Sequence, residues 1–305
     1  MKDYVCKALA YNKMVRIYAC QSTNLVEKAR QIHGLWPTSC AALGRTLTAA
    51  AMISTNYKSD EHLTFRIESD GPIDLLVVEA CNGRVRGFVS NPEVFMQYQN
   101  GHLAVGKAIG NGYMHVIKDL NMKQPFTTSV ELQTGEIAED FTYYFASSEQ
   151  TPSSVGLGVL VNPDNSCSAA GGFILQLMPG CPEETISKIE NVISNIIPVS
   201  EMISKGYSPE LIIKALSGDE EFEIVETDEI SYECPCTRDR FFRGIMSLGK
   251  KEIEDIINTD GKAEVACNFC RKNYVFEKSD LEKMIKQIDE KKKWFHAKWN
   301  HFSFS

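Results

Sequence analysis

Two short cysteine pairs near the C-terminal end constrain this chain more than any other feature. In "ECPCTRDR" Cys234 and Cys236 flank one proline, and in "ACNFCRKNY" Cys267 and Cys270 flank two residues. A lone C-x-x-C carries little weight. A C-x-C and a C-x-x-C separated by the length of one small subdomain make the pattern of a four-thiolate zinc site. Each bend delivers two sulfurs, and four complete the tetrahedral shell that zinc takes at about 2.3 Å. Arg238, Arg240, Arg271 and Lys272 stand close enough in sequence to offset the negative charge of such a shell. The other six cysteines (Cys6, Cys20, Cys40, Cys81, Cys167, Cys181) are scattered and read as small buried apolar residues. No histidine lies between the two pairs.

The residues leave the role of the zinc open. It could be a structural staple, because the domain it would hold is only about 55 residues and too small to be secure alone. It could also be a switch. Metal-held sulfurs stay thiolates, the form that oxidants attack, and a sulfenic acid formed on one can be resolved by a neighbouring cysteine.

Composition narrows the class. A formal net charge of −8 over 305 residues argues against a general nucleic-acid or anionic-membrane binder. No apolar run is long enough for a transmembrane helix, and the N-terminus lacks the apolar core of a signal peptide. The expected compartment is the cytosol, where thiols stay reduced and clustered cysteines point to metal or redox chemistry.

Hydrophobic patterning gives the organisation. "MVRIYAC" alternates as a strand; "STNLVEKARQIHG" reads as a helix capped within Ser22–Asn24, with Glu27 in its first turn and Gly34 as its stop. "PTSCAALGRTLTAAAMI" is a helix of small residues suited to close packing, and residues 62–89 read as three strands with a hairpin at Asn82-Gly83. Further strands are expected in "YMHVIKDL", "TTSVELQ" and "GGFILQLMP". The expected fold is α+β: a mainly antiparallel sheet domain with packed helices over 1–180, a helical, acidic, metastable linker over 181–231, a small four-cysteine zinc domain over 232–290, and a basic, aromatic tail over 291–305. In the linker, "PEETISKIENVISNI" and "SPELIIKALSG" are short amphipathic helices that must dock to be stable. Seven of the eleven residues from Asp219 to Glu229 are acidic, and this run reads as solvated. In the zinc domain, helices are expected in "DRFFRGIMSLG", "KKEIEDIIN" and "DLEKMIKQIDE", the last opened by a Ser279/Glu282 capping box, with a hairpin around the second cysteine pair.

The cysteine pattern, together with "CAALGRTLTAAAMI", "DGPIDLLVVEACNGRVRGFV", "IGNGYMHVIKD", "SSEQTPSSVGLGVLV" and "GGFILQLMPGC" in that order, resembles the bacterial redox-regulated heat-shock holdases, the 33 kDa chaperonin family. The likeness covers most of the chain up to the tail. It implies one Zn2+ on Cys234, Cys236, Cys267 and Cys270 in a reduced, inactive state. On oxidation it implies disulfides Cys234–Cys236 and Cys267–Cys270, zinc release, and unfolding of the zinc domain and linker. It further implies ATP-independent holding of unfolded client proteins, a homodimer when oxidised, and hand-off to ATP-dependent foldases. Within that frame Ile186, Ile189, Ile193, Ile196, Leu211 and Ile212 are candidates for part of the client surface; the competing expectation is that they stay buried and the sheet domain binds clients.

Two other classes compete. A zinc-ribbon nucleic-acid binder needs a basic footprint, but residues 231–287 carry eleven basic and ten acidic side chains. A thiol–disulfide oxidoreductase normally opens a helix with its C-x-x-C in a βαβ setting, whereas this one reads as a hairpin. No phosphate-binding loop or catalytic arrangement is visible, so no enzymatic activity is expected.

Overall fold

The structure, a computed structural model, describes residues 2–302, with side chains described for 2–290. The basic and aromatic side chains of the 291–305 tail therefore lie outside the described residues. The chain divides into two compact units, Met1–Glu233 and Cys234–Ser305.

The first unit is built on two sheets. One has the order β10 (Phe222–Glu229), β1 (Tyr4–Ala10), β2 (Val15–Gln21), β9 (Cys167–Leu177), β8 (Ser153–Val161), antiparallel throughout. The other has the order β11 (Ser231–Tyr232), β5 (Arg84–Val89), β4 (Leu75–Cys81), β3 (His62–Ser69), β6 (Gly112–Asp119), β7 (Phe126–Glu131), antiparallel except for the β11–β5 pair. Asn82 and Gly83, at φ of 46° and 76°, take the left-handed conformations that a tight β4–β5 hairpin needs.

Helices α1 (Thr23–His33) and α2 (Pro37–Ser54) lie in the core that both sheets share. Sixteen of the α2 residues are buried, because the helix packs against β8 and β9 of one sheet and β4 and β5 of the other. Its alanines, serines and threonines permit that approach. At Gly44 an added Cβ would come within 2.7 Å of Val26 and 3.0 Å of Val159. The α1 cap differs from expectation. Asp3 Oδ2, far away in sequence, accepts from the Leu25 N–H at 2.6 Å, while the Ser22 hydroxyl bonds to Thr48 at 2.7 Å. Glu27 lies beyond the first turn, bonding Arg30 and the Cys167 N–H.

The five-stranded sheet separates two cores. Along β2, Tyr18 and Cys20 join the core shared with α1 and α2, whereas Ile17 and Ala19 face the opposite way. That second face is covered by α5 (Glu183–Asn195), α6 (Val199–Ser204) and α7 (Pro209–Ser217), which contribute Ile189, Val199, Met202, Ile203, Ile212, Ile213 and Leu216. Ser208 caps α7 as its sequence suggests, and Gly34 ends α1 in the left-handed conformation.

The acidic run is solvated as expected, most of its acidic side chains being exposed, but it is a strand and not an irregular linker. Phe222–Glu229 is strand β10, paired with β1 along its whole length. Its Ile224-Val225-Glu226-Thr227 stretch has strand-forming β-branched residues, and lysines on and beside β1 supply counter-charge. The remaining elements of this unit, α3 (Val105–Ile109) and α4 (Ala138–Ser147), help to cap the shared core with Val105, Ile109, Phe141 and Tyr144.

The second unit holds α8 (Arg238–Met246), α9 (Lys250–Thr259), a two-stranded hairpin of β12 (Lys262–Ala266) and β13 (Asn273–Glu277), and α10 (Lys278–Phe302). Its fully formed core is small: Ile245, Ile253, Tyr274, Phe276, Leu281 and Met284. Helix α10 starts at Lys278, before the expected Ser279 cap, and Asp280 accepts from the Glu277 N–H at 3.3 Å. Among the described residues no helix is long and apolar enough to cross a membrane.

Candidate metal centre

The second cysteine pair sits where the β12–β13 hairpin turns. The Cys267 N–H donates to the Lys272 carbonyl at 3.0 Å and the Arg271 N–H to the Cys267 carbonyl at 2.8 Å, with Arg271 left-handed at φ 59°. This knuckle directs Cys267 and Cys270 to one side. The first pair enters as extended chain through Pro235, and Thr237 ends that stretch by capping α8, its hydroxyl accepting from the Arg240 N–H at 3.3 Å. The two local bends therefore aim four sulfurs at one point.

All four Sγ atoms lie within 4.8 Å of one another. Cys234 and Cys267 are 3.7 Å apart, and Cys236 and Cys270 are 3.3 Å apart. Four sulfurs at the usual zinc–sulfur length on a tetrahedron are separated by about 3.8 Å, so the cluster has the size and donor chemistry for a zinc ion. Cys267 is buried and the other three are half-buried.

The electrostatics also call for a cation. Burial raises the Cys236 thiol, but the Tyr274 hydroxyl and the adjoining sulfurs outweigh it and bring the group down to about 7. Cys270 is pushed up to about 12, first by burial and then by its sulfur neighbours, and burial also raises Cys267. One thiolate can form readily, but each further one must sit beside it, and a divalent ion removes that obstacle. Of the nearby cations, Arg238 is engaged elsewhere: it donates to the Val275 carbonyl at 2.8 Å and to Asp280 at 2.9 Å, stacked over Phe276. Tyr274 had no signal in the spacing of the sequence, yet its hydroxyl lies 3.2 Å from the Cys236 sulfur and its ring packs on Phe241.

Among the described residues the remaining cysteines form no ligand group. Cys6, Cys20, Cys40, Cys81 and Cys167 are buried, and Cys181 is half-buried. Burial pushes Cys167 up to about 12 and raises Cys20 and Cys40 as well. The six apolar candidates on the linker helices are not one exposed patch. Ile189 and Ile212 are buried against the sheet, Ile186, Ile193 and Ile196 are half-buried, and Leu211 is exposed.

The model of the family described as Hsp33 protein matches residues 3–277. The chain belongs to the Hsp33 family. It is 51% identical over 283 residues to the 33 kDa chaperonin of Bacillus subtilis (strain 168), covering 92% of this chain and 97% of that protein. To the 33 kDa chaperonin of Geobacillus kaustophilus it is 49% identical over 294 residues, covering 95% and 100%. The crystal structure of the 33 kDa chaperonin (heat shock protein 33 homolog) from Thermotoga maritima superposes with a TM-score of 0.88 at 35% identity, spanning 95% of this chain and all of that one. Membership in the Hsp33 family places the chain among chaperones and agrees with the α+β architecture carrying a C-terminal cysteine cluster.

Proposed function

We propose that the chain is a redox-regulated, ATP-independent holdase that keeps unfolding and oxidatively damaged proteins from aggregating. The observation that carries this reading is the cysteine cluster: four sulfurs within 4.8 Å, in a unit with little other core. Zinc bound there would hold all four sulfurs as thiolates and add roughly 10–16 kcal/mol of folding free energy. Each cysteine pair then reacts as a two-electron donor. A thiolate takes an oxygen from peroxide to become sulfenic acid, water departs, and the neighbouring thiol displaces a second water to close the disulfide. Cys234 pairs with Cys236 and Cys267 with Cys270, so two peroxides are consumed and no sulfur remains to bind the ion.

The proposed domain plan follows the sequence reading: core 1–180, linker 181–231, switch 232–290. The linker helices support a metastable role. Only Ile189 of α5 is fully buried, α5 and α6 have no side-chain N-cap, and the Ser208 cap of α7 is long at 3.4 Å. Their release would expose the apolar sheet face and the helix residues Ile186, Ile189, Ile193, Ile196, Leu211 and Ile212 to a client. A homodimer in the oxidised form, transfer of clients to ATP-dependent foldases, a cytoplasmic location and the absence of an enzymatic or nucleic-acid role belong to the same reading. The C-x-x-C lies at the turn between β12 and β13 and opens no helix, which gives an oxidoreductase reading no support.

The deciding experiment measures zinc content and suppression of client aggregation on one preparation, first reduced, then treated with peroxide at mildly raised temperature. One zinc and no holding activity when reduced, with zinc lost and activity gained on oxidation, is the expected outcome. Zinc retained with activity unchanged would make the site a structural staple.

A further inference from the structure

We infer that β10 is a built-in competitor for the edge of β1, and that once β10 has left, this edge takes up an extended, acidic segment of an unfolded polypeptide as an added strand. The inference rests on the linker release argued above, since β10 lies between α7 and the first cysteine pair.

Strand β10 closes one end of the five-stranded sheet, pairing from Tyr4↔Glu229 to Ala10↔Phe222 with a break in register between Lys7 and Ala8. It buries little. Ile224 and Val225 are exposed, and Phe222 is only half-buried. Charge supplies the side-chain attachment instead. Lys2 pairs with Glu229 at 2.6 Å, Lys7 with Glu226 at 2.7 Å and Asp228 at 3.0 Å, and Lys13 with Glu223 at 3.3 Å. Every cation in this set belongs to β1 or its flanks and every anion to β10. The sheet edge is therefore a basic surface, and the strand on it an acidic ligand.

Lys7 makes the edge selective. Its side chain is 7% exposed, and its ammonium also donates to the Thr55 carbonyl at 2.8 Å. Departure of β10 removes both carboxylates, while the Thr55 carbonyl stays in place. A replacement strand with a carboxylate opposite Lys7 restores these charge-assisted bonds and is favoured over one without. The rest of the recognition is main-chain pairing, indifferent to side chains beyond their alternation, as in other cases of strand addition. β1 itself stays in place, because β2 pairs with its other side and Val5 remains in the core shared with α1 and α2.

The test is hydrogen exchange on the β1 amides, Tyr4–Ala10, in the full-length protein, with zinc content and client holding followed on the same samples. The probe is a synthetic peptide copying residues 220–231, and its control replaces each Glu and Asp by Gln and Asn. Oxidation is expected to speed exchange of the β10-facing amides at least tenfold; the acidic peptide, or an unfolded client rich in Asp and Glu, restores protection, and the amide control does not. The peptide should also inhibit client holding. In Lys2→Glu/Lys13→Glu, which changes only exposed lysines, peptide affinity should fall about tenfold with zinc content unchanged. The inference is overturned if β1 stays protected, before any peptide or client is added, in a sample that has lost zinc and goes on to hold clients. It is equally overturned if protection in the oxidised protein depends on protein concentration, since a second copy's β10 would then be the occupant. A sample that neither loses zinc nor holds clients marks instead the failure of the holdase reading, and the inference falls with it.

Discussion

Glu210 on α7 accepts a hydrogen bond from the hydroxyl of Tyr4 on β1 at 2.9 Å. The Cys6 thiol points at the same carboxylate from 3.8 Å. This contact fastens the last linker helix to the sheet, and it titrates. Burial pushes Glu210 up, but the Ser208 hydroxyl, its own backbone amide, the Tyr4 hydroxyl and the Cys6 thiol together hold it below the ordinary glutamate value of 4.5. A carboxyl depressed on folding contributes stability that is complete above its unfolded pKa and disappears as pH falls through the folded one. Docking of α7 should therefore weaken below about pH 4.5. Hydrogen exchange across 209–217 between pH 6 and 3 should show this step, and Glu210→Gln should flatten it.

Adjacent residues on α7 should behave oppositely. Ile212 is completely buried against the sheet, whereas Leu211 is 46% exposed. Ile212→Ala should cost about 2–5 kcal/mol of docking and switch on aggregation suppression without oxidant. Leu211→Ala should leave the reduced protein idle and lower client holding after oxidation. Light-scattering assays of both variants, reduced and oxidised, separate the two roles.

The Tyr274 hydroxyl can donate to the Cys236 sulfur at 3.2 Å or to its carbonyl at 3.1 Å. Donation to a thiolate draws off the electron density that attacks peroxide. Tyr274→Phe should retain zinc and release it faster on oxidation, by about fivefold for the loss of roughly 1 kcal/mol. A chromogenic chelator recording zinc release against time provides the measurement.

Removing zinc with a strong chelator under reducing conditions should unfold the second unit and leave the shared core of the first intact. Its core rests on six buried side chains, against the far larger shared core of the first unit. Exchange should become fast across 238–288 and stay slow across α2 and β9. Uniform protection of both units after chelation would show that the cysteines are not needed for folding.

Gly44→Ala should destabilise the first unit by about 1–3 kcal/mol, because the added Cβ would meet Val26 and Val159 at 3.0 Å or less. Thermal unfolding followed by circular dichroism gives the shift.

Much of this architecture was legible in the sequence. The cysteine spacing led to the cluster, and alternation with turn chemistry marked β2–β5, the Asn82-Gly83 hairpin and the knuckle around Cys267. Other features had no local signal. Strand β10 reads as a solvated run without a strand signal, because its charges are offset by lysines more than two hundred residues away, at Lys2, Lys7 and Lys13. The cap of α1 comes from Asp3, not from Ser22, and Tyr274 becomes part of the cluster only through the hairpin that carries it. Burial of Ile189 and Ile212, against exposure of Leu211, is set by a sheet face that helical periodicity alone cannot locate.

The five-stranded sheet acts as a wall between two separately packed interiors, with Tyr18, Cys20 and Ile174 on one side and Ile17, Ala19 and Leu175 on the other. Water admitted to one side need not wet the other. The helices α5–α7 can thus loosen without dissolving the remainder, and evolution can adjust the two sides independently. Changes beneath α5–α7 would reset the threshold of release, while changes around α2 would reset only the temperature at which the whole body melts.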